Sequence, residues 1–229
     1  RKSVIGEQVT FTVAEWNEDK NRVLDQVRES FGVCELAVRS SALSEDTWTN
    51  SNAGSFTSVL DVPAADTARM EAAVNQVVQS YDEENGAHQV LVQAMLTDLA
   101  RHGVVLTRTL NHGAPYYVLN FDDTSADPES VTSGRGHCLR TVIVHRGFRS
   151  RPLLGDPLLS QILEAIREIE EHVGHDALDV EFAITASGVV HVLQVRPIAI
   201  DYGRGQIDDA VVDHALHNAA EEFQRKQRP

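Results

Sequence analysis

Two carboxylates, an amide and a guanidinium (Asp179, Glu181, Gln194 and Arg196) fall at alternating positions within one short stretch of this chain. Carboxylate and amide oxygens are hard ligands suited to Mg²⁺, and a guanidinium fork binds phosphate oxygens in pairs. A metal-plus-phosphate site is therefore chemically plausible, provided the backbone brings the four to one surface. Val180, Phe182 and Ile184 alternate with Asp179, Glu181 and Ala183, the period-two signature of a half-buried strand. Ser187-Gly188 is a turn dipeptide, after which Val189 to Val195 resumes as a β-rich run. With Ser187-Gly188 as a two-residue turn, Glu181 sits opposite Gln194 and Asp179 opposite Arg196, all on one face. The other face then pairs Val180 with Val195 and Phe182 with Leu193. A solvated sheet surface carries charges too, and Asp179 with Arg196 also reads as an ordinary cross-strand ion pair.

The rest of the chain must position these groups. Gln8 to Val13 reads as a strand, and Asn17 as the cap of a helix running to about Phe31. Cys34 to Arg39 is a short apolar strand ending in Arg39-Ser40-Ser41. Ser44 to Ser58, rich in Ser, Thr, Asn and Gly between structured runs, reads as a functional loop. Asp66 to about Tyr81 has helical apolar spacing through Met70, Ala73, Val74, Val77 and Val78. Strand-like runs follow at Val90–Met95, Val104–Thr107, Tyr116–Phe121 and Leu139–Val144. Pro157 opens a helix with Leu159, Ile162, Leu163, Ile166 and Ile169 as its buried stripe. After the hairpin, Ile207 to about Lys226 reads as a terminal amphipathic helix. This is the pattern of an α+β chain with a substantial antiparallel component.

Composition narrows the function. A formal net charge of −14 over 229 residues argues against a nonspecific nucleic-acid or anionic-membrane binder. It leaves room for a nucleotide, whose phosphates would fall mainly to arginine because lysine occurs only at Lys2, Lys20 and Lys226. No apolar run approaches the length of a membrane span, and the first residues lack a signal-peptide core. Cys34 and Cys138 lie far apart and form no ligand cluster, so a reduced, cytoplasmic protein is expected. The abrupt ends suggest a piece of, or a companion to, a larger protein.

Several segments, in order, resemble the nucleotide-binding domain of the phosphoenolpyruvate synthase and pyruvate phosphate dikinase family, which has an ATP-grasp fold. They are Ala37-Val38-Arg39-Ser40-Ser41-Ala42 with Glu45-Asp46, and Ala53-Gly54-Ser55-Phe56-Thr57-Ser58 running into Val59–Val62. Val90–Met95 with Gly103–Arg108, the glycine-containing Ser130–Arg135, and Asp179–Phe182 with Val192–Ile198 complete the set. Each is modest alone; together they span about Leu36 to Ile200 in the family's order. The resemblance implies that Arg39 contacts nucleotide phosphates, and that Gly54 and Ser55 lie in the loop folding over them. Ser58, where the family usually has threonine, would donate to a phosphate oxygen. Gln93, Ala94 and Met95 would meet the adenine edge through their backbone, although the same run also reads as a buried strand. Glu181 and Gln194, supported by Asp179, resemble the Mg²⁺-binding set, and Arg196 the arginine that neutralises charge on the transferred phosphoryl group. Arg39 and Arg196 are thus the expected catalytic residues, and ATP with Mg²⁺ the expected cofactors.

The expected fold is ATP-grasp-like α+β, mostly antiparallel sheets with packed helices and a shortened N-terminal portion. Its expected parts are an N-terminal subdomain over residues 1–89, a C-terminal subdomain over 90–201, and a terminal helix or linker over 202–229. The family's early glycine-lysine segment has no counterpart before Arg39, and Lys20 reads as a solvated surface residue. No histidine stands in the family's phosphocarrier context, and a phosphoenolpyruvate-binding barrel is absent. The pairs His214/His217 and His172/His175 read as ordinary surface or core residues. The expected function is ATP and Mg²⁺ binding within a dikinase-like phosphotransferase. The carrier histidine and acceptor site would belong to further domains, and no nucleic acid or membrane is expected as a partner. A degenerate nucleotide sensor or scaffold and a purely structural interaction domain are the alternatives.

Overall fold

In the computed structural model, the structure describes residues 1–41, 46–47, 50–51, 57–81, 85–122, 139–149, 153, 155–200 and 205–227. These pack as two compact units. One holds Ile5–Thr97, the other Arg1–Val4 with Asp98–Pro229.

In the first unit, β2 (Gln8–Thr12), β7 (Gln89–Ala94), β3 (Glu35–Ser41) and β6 (Ser58–Pro63) form a four-stranded sheet in that order, with every pairing antiparallel. Val9, Phe11, Leu36, Val38, Val90 and Val92 from its strands pack with Met70, Val74 and Val77 of α3 (Thr67–Gln79), which Asp66 caps. Asn17 caps nothing, because a helical turn starts earlier. Thr12 and Glu15 form a capping box that launches α1 (Val13–Glu18), and the Asp19 carboxylate caps α2 (Lys20–Phe31) by accepting from Arg22 N–H at 3.0 Å. Trp16 on α1 is buried, its indole N–H donating to Asn75 at 3.0 Å. A ribbon of β4 (Asp46–Thr47) and β5 (Asn50–Ser51) lies in the Ser44–Ser58 stretch read as a loop. Residues 90–97, expected to open the second part of the chain, instead lie in this unit, with β7 as an inner strand.

The second unit is built on a six-stranded sheet ordered β1 (Val4–Ile5), β12 (Val190–Pro197), β11 (Leu178–Thr185), β8 (Leu99–Leu106), β9 (Tyr116–Asp122) and β10 (Arg140–His145). The helix α4 (Pro157–Val173) covers one face. Asp156 caps it, Pro157 occupies its first turn, and it buries Leu159, Ile162, Leu163 and Ile166 against Tyr117, Leu119, Phe121, Val180 and Phe182. Burying these side chains contributes on the order of 1.5–3 kcal/mol each before entropy is counted. Gly103 is required where Phe182 and Phe121 flank it, since a Cβ there would run into Asn120 O and come within 2.7 Å of Phe121 Cα. Lys2 ties the N-terminus to α4 through Glu164 at 2.9 Å and Glu168. The terminal helix α5 (Asp209–Gln227) is exposed along most of its length, with Val211, Leu216 and Phe223 facing water.

Candidate functional site

The hairpin β11–β12 brings together the four residues nominated first. Asp179 pairs with Arg196, Val180 with Val195 and Glu181 with Gln194, as the alternation predicts. Beyond Glu181 the ladder slips by one: Phe182 pairs with Val192, not Leu193, Ala183 with His191, and Ile184 with Val190. The turn is also longer than the expected dipeptide. Thr185 N–H donates to Val189 O at 3.1 Å, and Ala186-Ser187-Gly188 closes the loop with Gly188 at φ 82°. The third turn residue and the extra residue in β12 offset each other, so the polar register survives. Val190, Val192 and Val195 all pack on the core face, which is possible only because the bulge inserts one residue between Val192 and Val195.

The opposite face of this sheet carries the candidate site. Asp179, Glu181 and Arg196 are largely buried there, with side-chain exposures of 18%, 8% and 12%. One guanidinium nitrogen of Arg196 donates to Glu181 Oε1 at 2.9 Å and lies 3.8 Å from Asp179 Oδ2. A single guanidinium thus contacts two carboxylates on this face. The set fits Mg²⁺: two carboxylates and the Gln194 amide supply oxygen donors, and Mg²⁺ characteristically takes one or two carboxylates and completes its shell with water and phosphate.

The bulge also places on this face a residue the alternation assigns to the core. His191 stands opposite Ala183, which in turn faces His102, and His102 faces Asp122. Both His102 and Asp122 are almost fully buried. Burial lowers the His191 pKa, so the neutral imidazole is favoured. The out-of-phase run Val190, Val192, Val195 is the signal in the sequence that could have exposed the bulge.

In the other unit, Arg39 on β3 pairs directly with Ser58 at the start of β6, so these two nominated residues are neighbours. Gln93 is flanked on both sides, by Gln8 and Ala37, and its side chain donates to Gln8 at 3.3 Å. Ala94 pairs with Leu36. Met95 N–H donates to Glu35 O at 2.8 Å, and the Met95 thioether accepts from Asp61 N–H at 3.2 Å. The backbone donor of Met95 is thus already committed within its own unit. Gly54, Ser55 and the Ser130–Arg135 stretch lie outside the described residues. Lys20 ion-pairs with Glu71 at 3.0 Å and lies 5.4 Å above the Trp16 ring, the surface role read for it. His214 contacts Asn218 and His217 contacts Glu221 along α5, and the described residues contain no cluster of three His, Cys, Asp or Glu able to hold a metal. No described helix is long and apolar enough to cross a membrane.

The sheets and the hairpin define an antiparallel α+β protein with an acidic, arginine-clamped oxygen cluster on one sheet face. No family model matches the chain, and no curated protein matches it. Among solved structures it is similar to the D-alanine-D-alanine ligase of Coxiella burnetii, at 14% identity and TM-score 0.48 over 97% of this chain and 54% of that one. It is also similar to the D-alanine-D-alanine ligase of Helicobacter pylori, at 10% identity and TM-score 0.47, covering 85% of this chain and 49% of the ligase. A RimK domain protein ATP-grasp from Sphaerobacter thermophilus aligns at 14% identity and TM-score 0.43, over 88% and 55% of the two chains. The chain spans about half the length of these structures. At such identities and scores they assign it neither an activity nor a ligand.

Proposed function

We propose that this chain is the ATP- and Mg²⁺-binding part, of ATP-grasp type, of a phosphotransferase related to phosphoenolpyruvate synthase and pyruvate phosphate dikinase. The observation that carries the reading is the hairpin register, which aligns Asp179 with Arg196 and Glu181 with Gln194 on one face. The ordered sequence resemblance from Leu36 to Ile200 supports it. In this reading Asp179, Glu181 and Gln194 hold Mg²⁺, which when bound neutralises phosphate charge and orients it. Arg196 would direct its fork toward the transferred phosphoryl group, and Asp179 and Glu181 would supply carboxylate oxygens to the metal. Arg39 and Ser58 contribute a cation and a hydroxyl toward phosphate oxygens, Gly54 and Ser55 backbone N–H groups, and Gln93 and Ala94, with the Met95 carbonyl rather than its committed N–H, the adenine contact. Positioning and charge neutralisation are all that phosphoryl transfer asks of such residues. The carrier histidine and the acceptor belong to further domains.

Calorimetric titration of ATP, with and without Mg²⁺, into the wild-type chain and Glu181→Ala tests the reading. Binding should require Mg²⁺ and weaken by about tenfold or more in the variant. Wild-type binding that is indifferent to both changes would remove the hairpin from the site.

A second reading, nucleotide sensing without turnover, is favoured by the lysines. Lys2, Lys20 and Lys226 are each ion-paired to a glutamate at 2.7–3.0 Å. ATP consumption with carrier domains supplied separates the two: turnover supports the transferase, and binding without turnover the sensor.

A further inference from the structure

On the α4-covered side of the six-stranded sheet, opposite Glu181, two guanidiniums flank one tyrosine and a third lines the same cleft. The Tyr117 hydroxyl donates to Glu170 at 2.7 Å, and Arg146 reaches the same carboxylate at 2.5 Å. The guanidiniums of Arg146 and Arg167 stand 4.9 and 5.5 Å from the Tyr117 ring centre. Arg149 donates to the carbonyls of Arg146 and Phe148, and Arg167 to Phe148 O at 2.9 Å. These groups line an open cleft of about 600 Å³, completed by Gly147, Glu171, Gly174, His175 and Asp176.

Three guanidiniums (Arg146, Arg149 and Arg167) and three carboxylates (Glu170, Glu171 and Asp176) line the cleft, but they are not paired one to one. Glu170 is committed to Arg146 and Tyr117, and Asp176 to Arg108, whose two nitrogens reach it at 2.6 and 3.0 Å. Among the described residues, neither Arg149 nor Arg167 has a carboxylate within ion-pair distance, and Arg167 Nε is buried without a hydrogen-bond partner. Besides the Tyr117 hydroxyl, toward which Arg167 also donates, their acceptors are backbone carbonyls, which leave the positive charge unneutralised. Holding like charges together beside a low-dielectric ring is unfavourable unless an anion joins them. The carbonyl end of α4, capped at Gly174, opens on the same cleft and disfavours anions there. An anion is therefore directed to the two arginines, whose forks match phosphate oxygens bidentately.

We infer that this cleft is a second oxyanion site, separate from the hairpin, where Arg149 and Arg167 bind a small phosphate-bearing ligand against Tyr117. Its volume suits a small molecule rather than a polymer, and it needs no metal.

The test is calorimetric titration of inorganic pyrophosphate, without divalent cations, into the full chain. The wild type binds at one site. The Arg149→Gln/Arg167→Gln variant weakens binding about tenfold or more, and Arg28→Gln, at an exposed surface ion pair outside both sites, leaves it unchanged. Arg149→Gln alone, an exposed change made without touching the packed ring, should still weaken binding measurably, which covers a double variant that fails to fold. No binding at millimolar pyrophosphate, undiminished binding in Arg149→Gln and the folded double variant, or an equal loss in Arg28→Gln would each overturn the inference. The nucleotide reading stands or falls separately, on Mg²⁺-dependent ATP binding and Glu181→Ala.

Discussion

Replacing Arg196 with methionine isolates what the clamp does. The guanidinium faces two carboxylates at 2.9 and 3.8 Å. At an effective dielectric of about 20, each contact is worth about 4–6 kcal/mol of gross Coulomb attraction, largely offset by desolvation. Removing one partner of a buried pair typically costs about 3–5 kcal/mol, because the remaining charge is stranded. Here the guanidinium contacts two carboxylates, so the upper part of that range applies. With a urea m-value of about 2 kcal/mol/M, the midpoint of the Asp98–Pro229 unit should fall by about 2 M. Both tryptophans, Trp16 and Trp48, precede Asp98, whereas Tyr116 and Tyr117 lie beyond it. Tryptophan fluorescence should therefore keep its wild-type midpoint while a tyrosine or far-ultraviolet dichroism transition moves. Mg²⁺ at about 100 times its Kd should return about 2.7 kcal/mol to the variant, by binding only the folded form. A loss below about 0.5 kcal/mol, the scale of an ordinary surface change, would refute the clamp. A loss that Mg²⁺ does not restore would refute the metal fit of the carboxylates.

Gly103→Ala should destabilise the same unit by about 1–3 kcal/mol or more, since its Cβ meets backbone on β9 rather than a movable side chain; urea denaturation reads this directly. Thr107→Val should cost about 1–3 kcal/mol, because the fully buried hydroxyl donates to Asp176 O and accepts from Leu178 N–H, both at 2.7 Å, and valine leaves both unpaired. Arg108 hydrogen bonds hold the Asp176 and Asp209 carboxyls below their ordinary 3.8. The stability they contribute is complete above that value and is lost as pH falls through the lower folded pKa values. Denaturation of wild type and Arg108→Gln should thus differ at pH 7 and converge in strong acid, by a modest amount because both carboxylates are about half exposed.

The sequence by itself determined the local elements and their faces. The alternation through residues 179–184 requires a strand with apolar Val180, Phe182 and Ile184 on one side, and Pro157 behind Asp156 requires a helix start. These are effects of neighbours in the chain, where side-chain period and missing backbone donors act within a turn or two. Tertiary structure decided what depends on pairing over distance. The two-residue turn assumed from Ser187-Gly188 is three residues long, and the polar register holds only because a bulge in β12 compensates. That bulge exists because Val190, Val192 and Val195 all gain by facing the core under α4, and a regular strand cannot turn all three inward. It carries His191 onto the carboxylate face. The inner position of β7, the approach of Arg39 to Ser58 and the placing of Arg146 and Arg167 beside Tyr117 likewise arise from segments far apart in the chain. No local period encodes such meetings, because they are set by which buried surfaces pack best together.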